Sequence, residues 1–326
     1  MSASMLPSSR RRALCSVTLV LTSVLMLLPA HAADAPQGAR TNDVYIISGA
    51  SGQLAELAIK EFLAHGVPAK NLILVSRTPE KLADYAKLGA STRFGDTDKP
   101  DSLPAAYKGG TRMLMISLGA GPGSPPRPPR HKLAFDAAAK AGVKQISYTS
   151  FMGAGGENVT GLAADHTQSE AYLRASGAAW TSLRNGFYMD GQLAVALKMA
   201  ETGKATARPG KSAPVTREDC AAVAVAALLY PGHENKAYEI TGPGLVDTAE
   251  VAGIVAAIVG KPVIVEAAAP AAPASSAGPA GFAPPPAVEA PTVSNAVAEL
   301  TGRPATSLRA FLEAHRAELV AAAAKR

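Results

Sequence analysis

At 326 residues, 48% of them hydrophobic and 18% charged, the chain has enough apolar side chain for one large domain or two small ones, which excludes a wholly disordered protein. Two cysteines exclude a disulfide scaffold and a four-cysteine metal site. The formal charge of +6 is half explained by three arginines near the start.

Those arginines, Arg10, Arg11 and Arg12, precede an apolar run over 13–28, and Ala30-His31-Ala32 places small residues where a leader is cut. This is the pattern of a secretory signal peptide over 1–32. Its run of about 16 residues falls short of the about 20 that a membrane-spanning helix needs. No stable membrane insertion is therefore expected after cleavage. The cut removes no acid and lowers the formal charge to about +3, too little to argue for nucleic acid or an anionic membrane as partner. It also removes Cys15, so Cys220 has no internal partner for a bridge. Ser9-Arg10-Arg11-Arg12-Ala13-Leu14 loosely fits the twin-arginine export pattern, with Ala13 where Phe is usual, and points to the periplasm.

After a polar lead-in over 33–42, strand and helix patterns alternate. Strands are predicted over 44–47, 72–75, 92–94, 113–116, 145–149 and 180–183. Helices are predicted over 53–65, 79–88, 100–107, 131–141 and 165–175. Apolar strands alternating with helices imply an α/β fold, a doubly wound parallel sheet of Rossmann type covered on both faces, over 43–190. A smaller α+β region follows over 191–326. Thr216 reads as the N-cap of a helix running to Tyr230, with Glu218 and Asp219 in its first turn. Short strands over 236–240 and 262–265 flank a helix over 249–259, and a final helix covers 307–323. Between 267 and 291, 22 of 25 residues are Ala, Pro, Gly or Ser, which reads as a mobile loop or linker.

Gly49-Ala50-Ser51-Gly52-Gln53-Leu54-Ala55 joins the first strand to the first helix. In a G-x-x-G-x-x-[G/A] turn the first glycine makes the tight bend and the second admits a pyrophosphate. The small seventh residue lets helix pack on strand. The phosphates then lie against the positive end of the helix. After the second strand the chain has Ser76-Arg77-Thr78, with no acid before Glu80 to grip a ribose 2′-hydroxyl. Arg77 suits a 2′-phosphate, with Ser76 or Thr78 beside it, so NADP is the expected cofactor. Asp96, closing the third strand, either meets the adenine amino group or caps the next helix.

Together the stretches GASGQLAELAI, SRTPEKLADY, RFGDTDKPDSL, AAKAGVKQISYTS, ADHTQSEAYLRASGAAWTSLRNGFYMD and VTREDCAAVA resemble the NmrA-like atypical short-chain dehydrogenases, and among them the NADPH:quinone oxidoreductase type 2 branch. The likeness covers roughly 44–240, and TGRPATSLRAFL near the end fits too. It implies an NADP-binding Rossmann domain with a substrate cleft against a small C-terminal domain. It further implies that Gly49, Ser51, Gly52, Gln53 and Leu54 hold the pyrophosphate. Ser117, Tyr148, Thr149 and Ser150 would border the nicotinamide riboside, and Asn185, Gly186, Phe187 and Tyr188 would line the nicotinamide and acceptor. Two stretches depart from the family: the Pro- and Gly-rich loop over 119–130, and the Ala/Pro tract where relatives carry helical structure.

Short-chain dehydrogenases acting on alcohols use Tyr-x-x-x-Lys. Here Tyr148 is followed four on by Met152, Tyr172 by Ser176 and Tyr188 by Gln192. The equivalent segment reads His166-x-x-x-Glu170, two residues that share one side of a helix. His166, with a proton to give near neutral pH, and Tyr148 are the candidate catalytic residues; the other reading is that His166 and Glu170 only shape the cleft wall. A quinone suits the missing tyrosine–lysine pair, because an electron-poor ring takes hydride once stacked on the nicotinamide and water then protonates it. The expected activity is hydride transfer from NADPH to a quinone-like acceptor. The alternatives are a non-catalytic NADP(H)-binding sensor or scaffold of the NmrA-like type, and a sugar or alcohol dehydrogenase, which the missing pair disfavours. His131, His166, Cys220 and His233 lack metal-ligand spacing, so no metal is expected. The oligomeric state stays open, a homodimer included.

Overall fold

The computed structural model describes residues 39–119, 123–267 and 292–326. The predicted signal peptide and the Ala/Pro tract from 268 on lie outside the described residues. Seven parallel strands form the main sheet: β1 (Tyr45–Ser48), β2 (Leu72–Ser76), β3 (Ser91–Phe94), β4 (Arg112–Met115), β5 (Gln145–Phe151), β6 (Ala179–Asn185) and, after β7 (Lys204–Thr206) elsewhere, β8 (Lys236–Ile240). Their order is β3-β2-β1-β4-β5-β6-β8. The order reverses between β1 and β4, which opens a crevice beyond the carboxyl ends of the strands.

All residues of β1, β2 and β4 are buried, as strands of a doubly covered sheet must be, with the polar Ser48, Ser76 and Arg112 only at strand ends. One face is covered by α1 (Gln53–Ala64) and, further along the chain, α7 (Arg217–Leu229). The other is covered by α3 (Leu103–Tyr107), α4 (Arg127–Lys140) and α5 (Gly161–Arg174). In α1, Ala55 and Ala58 are fully buried, and their small side chains bring the helix close to the strands. Helix α7 is buried nearly all round because it is packed between the sheet with α1 on one side and α9 (Ala296–Thr301) on the other. The Thr216 hydroxyl accepts the Asp219 N–H at 3.0 Å, the N-cap expected from the sequence.

Several boundaries differ from the sequence pattern, each for a local reason. The segment 79–88 is a 3-10 turn over Pro79–Leu82 followed by α2 (Ala83–Lys87). Helix α4 starts at Arg127, four residues early: Pro128 and Pro129 occupy its first turn, where a missing N–H costs nothing. Helix α6 (Met189–Thr202) appears where no element is predicted, because Asp190-Gly191 in its first turn resembles a bend. The region after 190 is divided between two bodies. Helix α7 and β8 return to the main sheet. The small two-stranded sheet of β7 and β9 (Ile264–Glu266) joins α6, α8 (Thr248–Val259), α10 (Leu308–Ala314) and α11 (Arg316–Ala323), the four helices of a separate core. The single final helix breaks at His315, where Arg316 turns to donate to the Ile258 carbonyl at 3.0 Å. No helix of the described residues is long and apolar enough to cross a membrane.

Candidate cofactor and acceptor site

The rim of the crevice is built strand by strand. At the end of β1, Gly49 has φ of +86°, and its N–H and that of Ala50 both donate to the Val75 carbonyl at 3.0 Å. A side chain at Gly49 would meet that unfavourable backbone and lie 3.4 Å from Ile116 Cβ. Gly52 is the N-cap of α1 and offers no side-chain hydrogen bond to its first turn. The opening N–H groups of α1 are therefore left for an anion. Ser51, Gly52 and Gln53 are exposed there, whereas the Leu54 side chain is buried in the core and offers only backbone.

At the end of β2 the Ser76 hydroxyl lies 2.9 Å from that of Ser51 and accepts the Thr78 N–H at 3.0 Å, tying β2 to the glycine turn. Arg77 between them is exposed and forms no ion pair among the described residues. Asp96 Oδ1 accepts the Asp98 N–H at 3.0 Å, and the Asp96 N–H donates to the Ser102 hydroxyl at 3.0 Å. That carboxylate closes the turn at 96–98 with its other oxygen unengaged, and it does not cap the next helix, α3, whose N-cap is Ser102. These features fit a dinucleotide: a close backbone approach, free helix N–H groups and an unpaired cation one strand over.

At the end of β4 the Ser117 N–H donates to Thr149 Oγ1 at 2.8 Å, and the Leu118 N–H donates to His131 Nε2 at 3.0 Å. Behind β5 lies a closed polar cluster. Tyr148 Oη is 2.8 Å from His166 Nδ1 and 3.2 Å from His131 Nδ1, and all three side chains are buried. Burial and the nearby Arg127 guanidinium lower the His166 pKa to about 4. The expectation that His166 gives a proton near neutral pH is thus corrected: there it is already neutral. Burial likewise drives the Tyr148 phenol upward. Nor do His166 and Glu170 bond to each other. Glu170 accepts from Arg184 at 2.9 Å through both Nε and Nη2, from Arg174 at 2.7 Å and from Ser150 Oγ at 2.8 Å. Burial alone would raise its carboxyl, but these bonds and charges hold it below the ordinary value.

At the end of β6, Asn185 Nδ2 donates to Tyr188 Oη at 3.1 Å, while Asn185 Oδ1 is buried without a partner. Gly186 passes so close to the Ile240 carbonyl that a Cβ would sit 3.2 Å away. Tyr188 lies beneath the Arg217 guanidinium at 4.5 Å, and burial pushes its phenol up to about 12. Phe187, 42% exposed, meets Phe151 edge to face at 5.3 Å, making an apolar wall. Phe151, Arg127, Ser169 and the role of His131 lie outside the site residues singled out from the sequence. The i,i+4 pairs Arg127–His131 and Asp165–Ser169 on successive helices were the available signal.

The family model described as NAD(P)H-binding matches residues 49–231. Quinone oxidoreductase 2 of Escherichia coli K12 is 38% identical over 198 residues, covering 60% of this chain and 68% of that protein. An NAD(P)H azoreductase of Xenophilus azovorans is 30% identical over 220 residues, covering 67% and 74%. Among solved structures, the Citrobacter sp. triphenylmethane reductase complexed with NADP(H) superposes with a TM-score of 0.70 at 28% identity, covering 86% of this chain and 99% of that one. The E. coli NADPH-dependent quinone oxidoreductase complexed with NADPH gives 0.70 at 29%, covering 83% and 99%. With a glycine turn, an uncapped α1 and a crevice at the strand-order reversal all in place, the chain belongs to the NAD(P)H-binding family and to its NmrA-like oxidoreductases.

Proposed function

We propose that the protein is an NADPH-dependent reductase of quinone-like acceptors. One observation carries the reading: beside an exposed aromatic wall, the proton-bearing groups Tyr148, His131 and His166 are sealed inside and neutral. Such a site suits an electron-poor planar acceptor that needs stacking and leaves protonation to water. NADPH, when bound, supplies the hydride. The free N–H groups at α1 hold the pyrophosphate, and Arg77 forks onto the 2′-phosphate where NAD-specific folds carry an acid. Phe151 and Phe187 orient the acceptor ring, and Tyr188 with Asn185 borders the same edge. The relatives named for quinone and azo reduction support this reading. Mass spectrometry of the purified protein for bound nucleotide, followed by a quinone panel with NADPH and NADH, tests it. NADPH-preferring turnover is expected; stoichiometric nucleotide without turnover on any quinone would identify a sensor instead. We propose further that residues 1–32 direct export to the periplasm after folding around the nucleotide.

A further inference from the structure

A buried histidine usually needs a reason for both ring nitrogens, and His131 has an unusual pair of partners. It is 1% exposed on α4, yet its Nε2 faces a backbone N–H, that of Leu118, at 3.0 Å. A main-chain N–H only donates, so Nε2 must carry the lone pair. The other nitrogen agrees. Nδ1 lies 2.8 Å from Ser169 Oγ, whose own hydrogen goes to the Asp165 carbonyl at 2.8 Å, one turn back on α5. Ser169 Oγ is therefore an acceptor toward His131, and the proton sits on Nδ1. Free histidine prefers the opposite tautomer.

We propose that His131 is a positioning residue for the cofactor: held as the Nδ1–H tautomer by Ser169, it accepts the Leu118 N–H and fixes the peptide between Ser117 and Leu118 at the crevice edge. Ordinary sheet bonding ends at the Ile116 N–H, which donates to the Ser48 carbonyl at 3.2 Å. The next two N–H groups are taken by side chains, Ser117 by Thr149 and Leu118 by His131. A planar trans peptide points its carbonyl opposite its N–H. The Ile116 carbonyl accordingly turns to the glycine-turn side, 3.8 Å from where a Cβ on Gly49 would be. The Ser117 carbonyl turns away from α4, an acceptor offered to a hydroxyl donor such as a cofactor ribose. Protonating His131 would set an N–H against an N–H, and burial with the neighbouring His166 and Arg127 lowers its pKa to about 3. The link therefore persists at working pH.

The inference rests on the NADP(H) reading of the crevice, and its test separates the two. Long-range nitrogen NMR of the histidine-labelled full chain should show His131 with Nδ1 protonated and Nε2 bare. NADPH is then titrated into wild type, His131→Leu and His131→Gln. Leucine removes one neutral hydrogen bond and should weaken NADPH roughly 3- to 10-fold. Glutamine, whose Oε1 can replace Nε2, should return affinity to within about 2-fold of wild type. A protonated Nε2 in the wild type overturns the proposal without any variant, as do equal losses in both variants or none in the leucine protein. A wild type that binds no NADPH sinks the cofactor reading, while the tautomer still reports on His131.

Discussion

Arg77 gains its meaning from what is absent around it. Exposed and without a carboxylate partner among the described residues, it contributes nothing to the fold that its removal would disturb. A charge-assisted contact to a 2′-phosphate is worth roughly 1.5–3 kcal/mol. Arg77→Ala should weaken NADPH by about 10- to 150-fold while NADH changes little. Titration of both nucleotides into both proteins decides this, and equal losses would remove the assignment. The buried histidines give a second residue-scale prediction. His166 titrates near 6.5 when unfolded and at about 4 when folded, and His131 at about 3. Between those values the unfolded chain binds the extra protons, so folding stability is complete above about pH 6.5 and falls as pH drops. The slope should be about 1.4 kcal/mol per pH unit for each histidine between about pH 6 and pH 4. His166→Asn should lower the slope in urea melts by one histidine's share. A flat profile from pH 7 to pH 5 would contradict the burial of both rings.

At the scale of elements, the loop after β5 is held where Phe151 needs it. The Met152 N–H donates to the Asn185 carbonyl at 3.0 Å, and the Gly155 N–H donates to Thr167 Oγ1 at 2.8 Å. Gly155 has φ of +80°, and a Cβ there would lie 2.4 Å from Arg184 Nη2, the guanidinium that grips Glu170. Gly155→Ala should cost about 1–3 kcal/mol in urea melts. Gly191→Ala, inside α6 with nothing within 4 Å of the added atom, should stabilise by about 0.4–1 kcal/mol. Opposite signs for two glycine substitutions test the loop and the unexpected helix together; two losses would mean that 189–202 is not helical. These two places also show what the sequence could carry. Strands β1, β2 and β4 were legible because full burial leaves an apolar run with no competing pattern. The glycine turn was legible because its residue types answer to backbone geometry. Helix α6 was not, since Gly191 in its first turn mimics a bend, and α4 was read late because prolines tolerated in a first turn look like loop. The arginines that occupy Glu170 come from its own helix and from β6, and pairing across elements has no local signal.

At the scale of the molecule, the chain enters the fold at the end remote from the crevice. Tyr45 Oη donates to the Arg40 carbonyl at 2.6 Å, Arg40 Nη2 bonds Glu234 at 2.9 Å, and the Arg40 N–H reaches the Leu229 carbonyl at 2.9 Å. Arg112 at the start of β4 bonds Asp43 at 2.5 Å. All of this lies at the amino ends of the strands, whereas the glycine turn lies at the carboxyl end of β1. Removing residues 1–38 should therefore leave NADPH affinity within about 2-fold of the full chain. A larger loss would show that residues 1–38 contribute to the crevice.

The need for a folded site bears on the proposed export. A dinucleotide site assembled from the ends of five strands that are distant in sequence exists only in the folded chain, and NADP(H) is made in the cytoplasm. An export route for unfolded chains would deliver an empty protein to a compartment without a supply of the nucleotide. The twin-arginine route carries folded cargo, and so would deliver the protein with its nucleotide already bound. Replacing Arg10, Arg11 and Arg12 with lysine keeps the positive charge that an ordinary signal requires and removes only the arginine pattern. That triple variant should accumulate as cytoplasmic precursor with nucleotide bound, while wild-type mature protein appears in the periplasm. Fractionation with mass spectrometry of both pools distinguishes the outcomes: unchanged export of the lysine variant, or an exported wild type free of nucleotide, would remove the folded-cargo proposal.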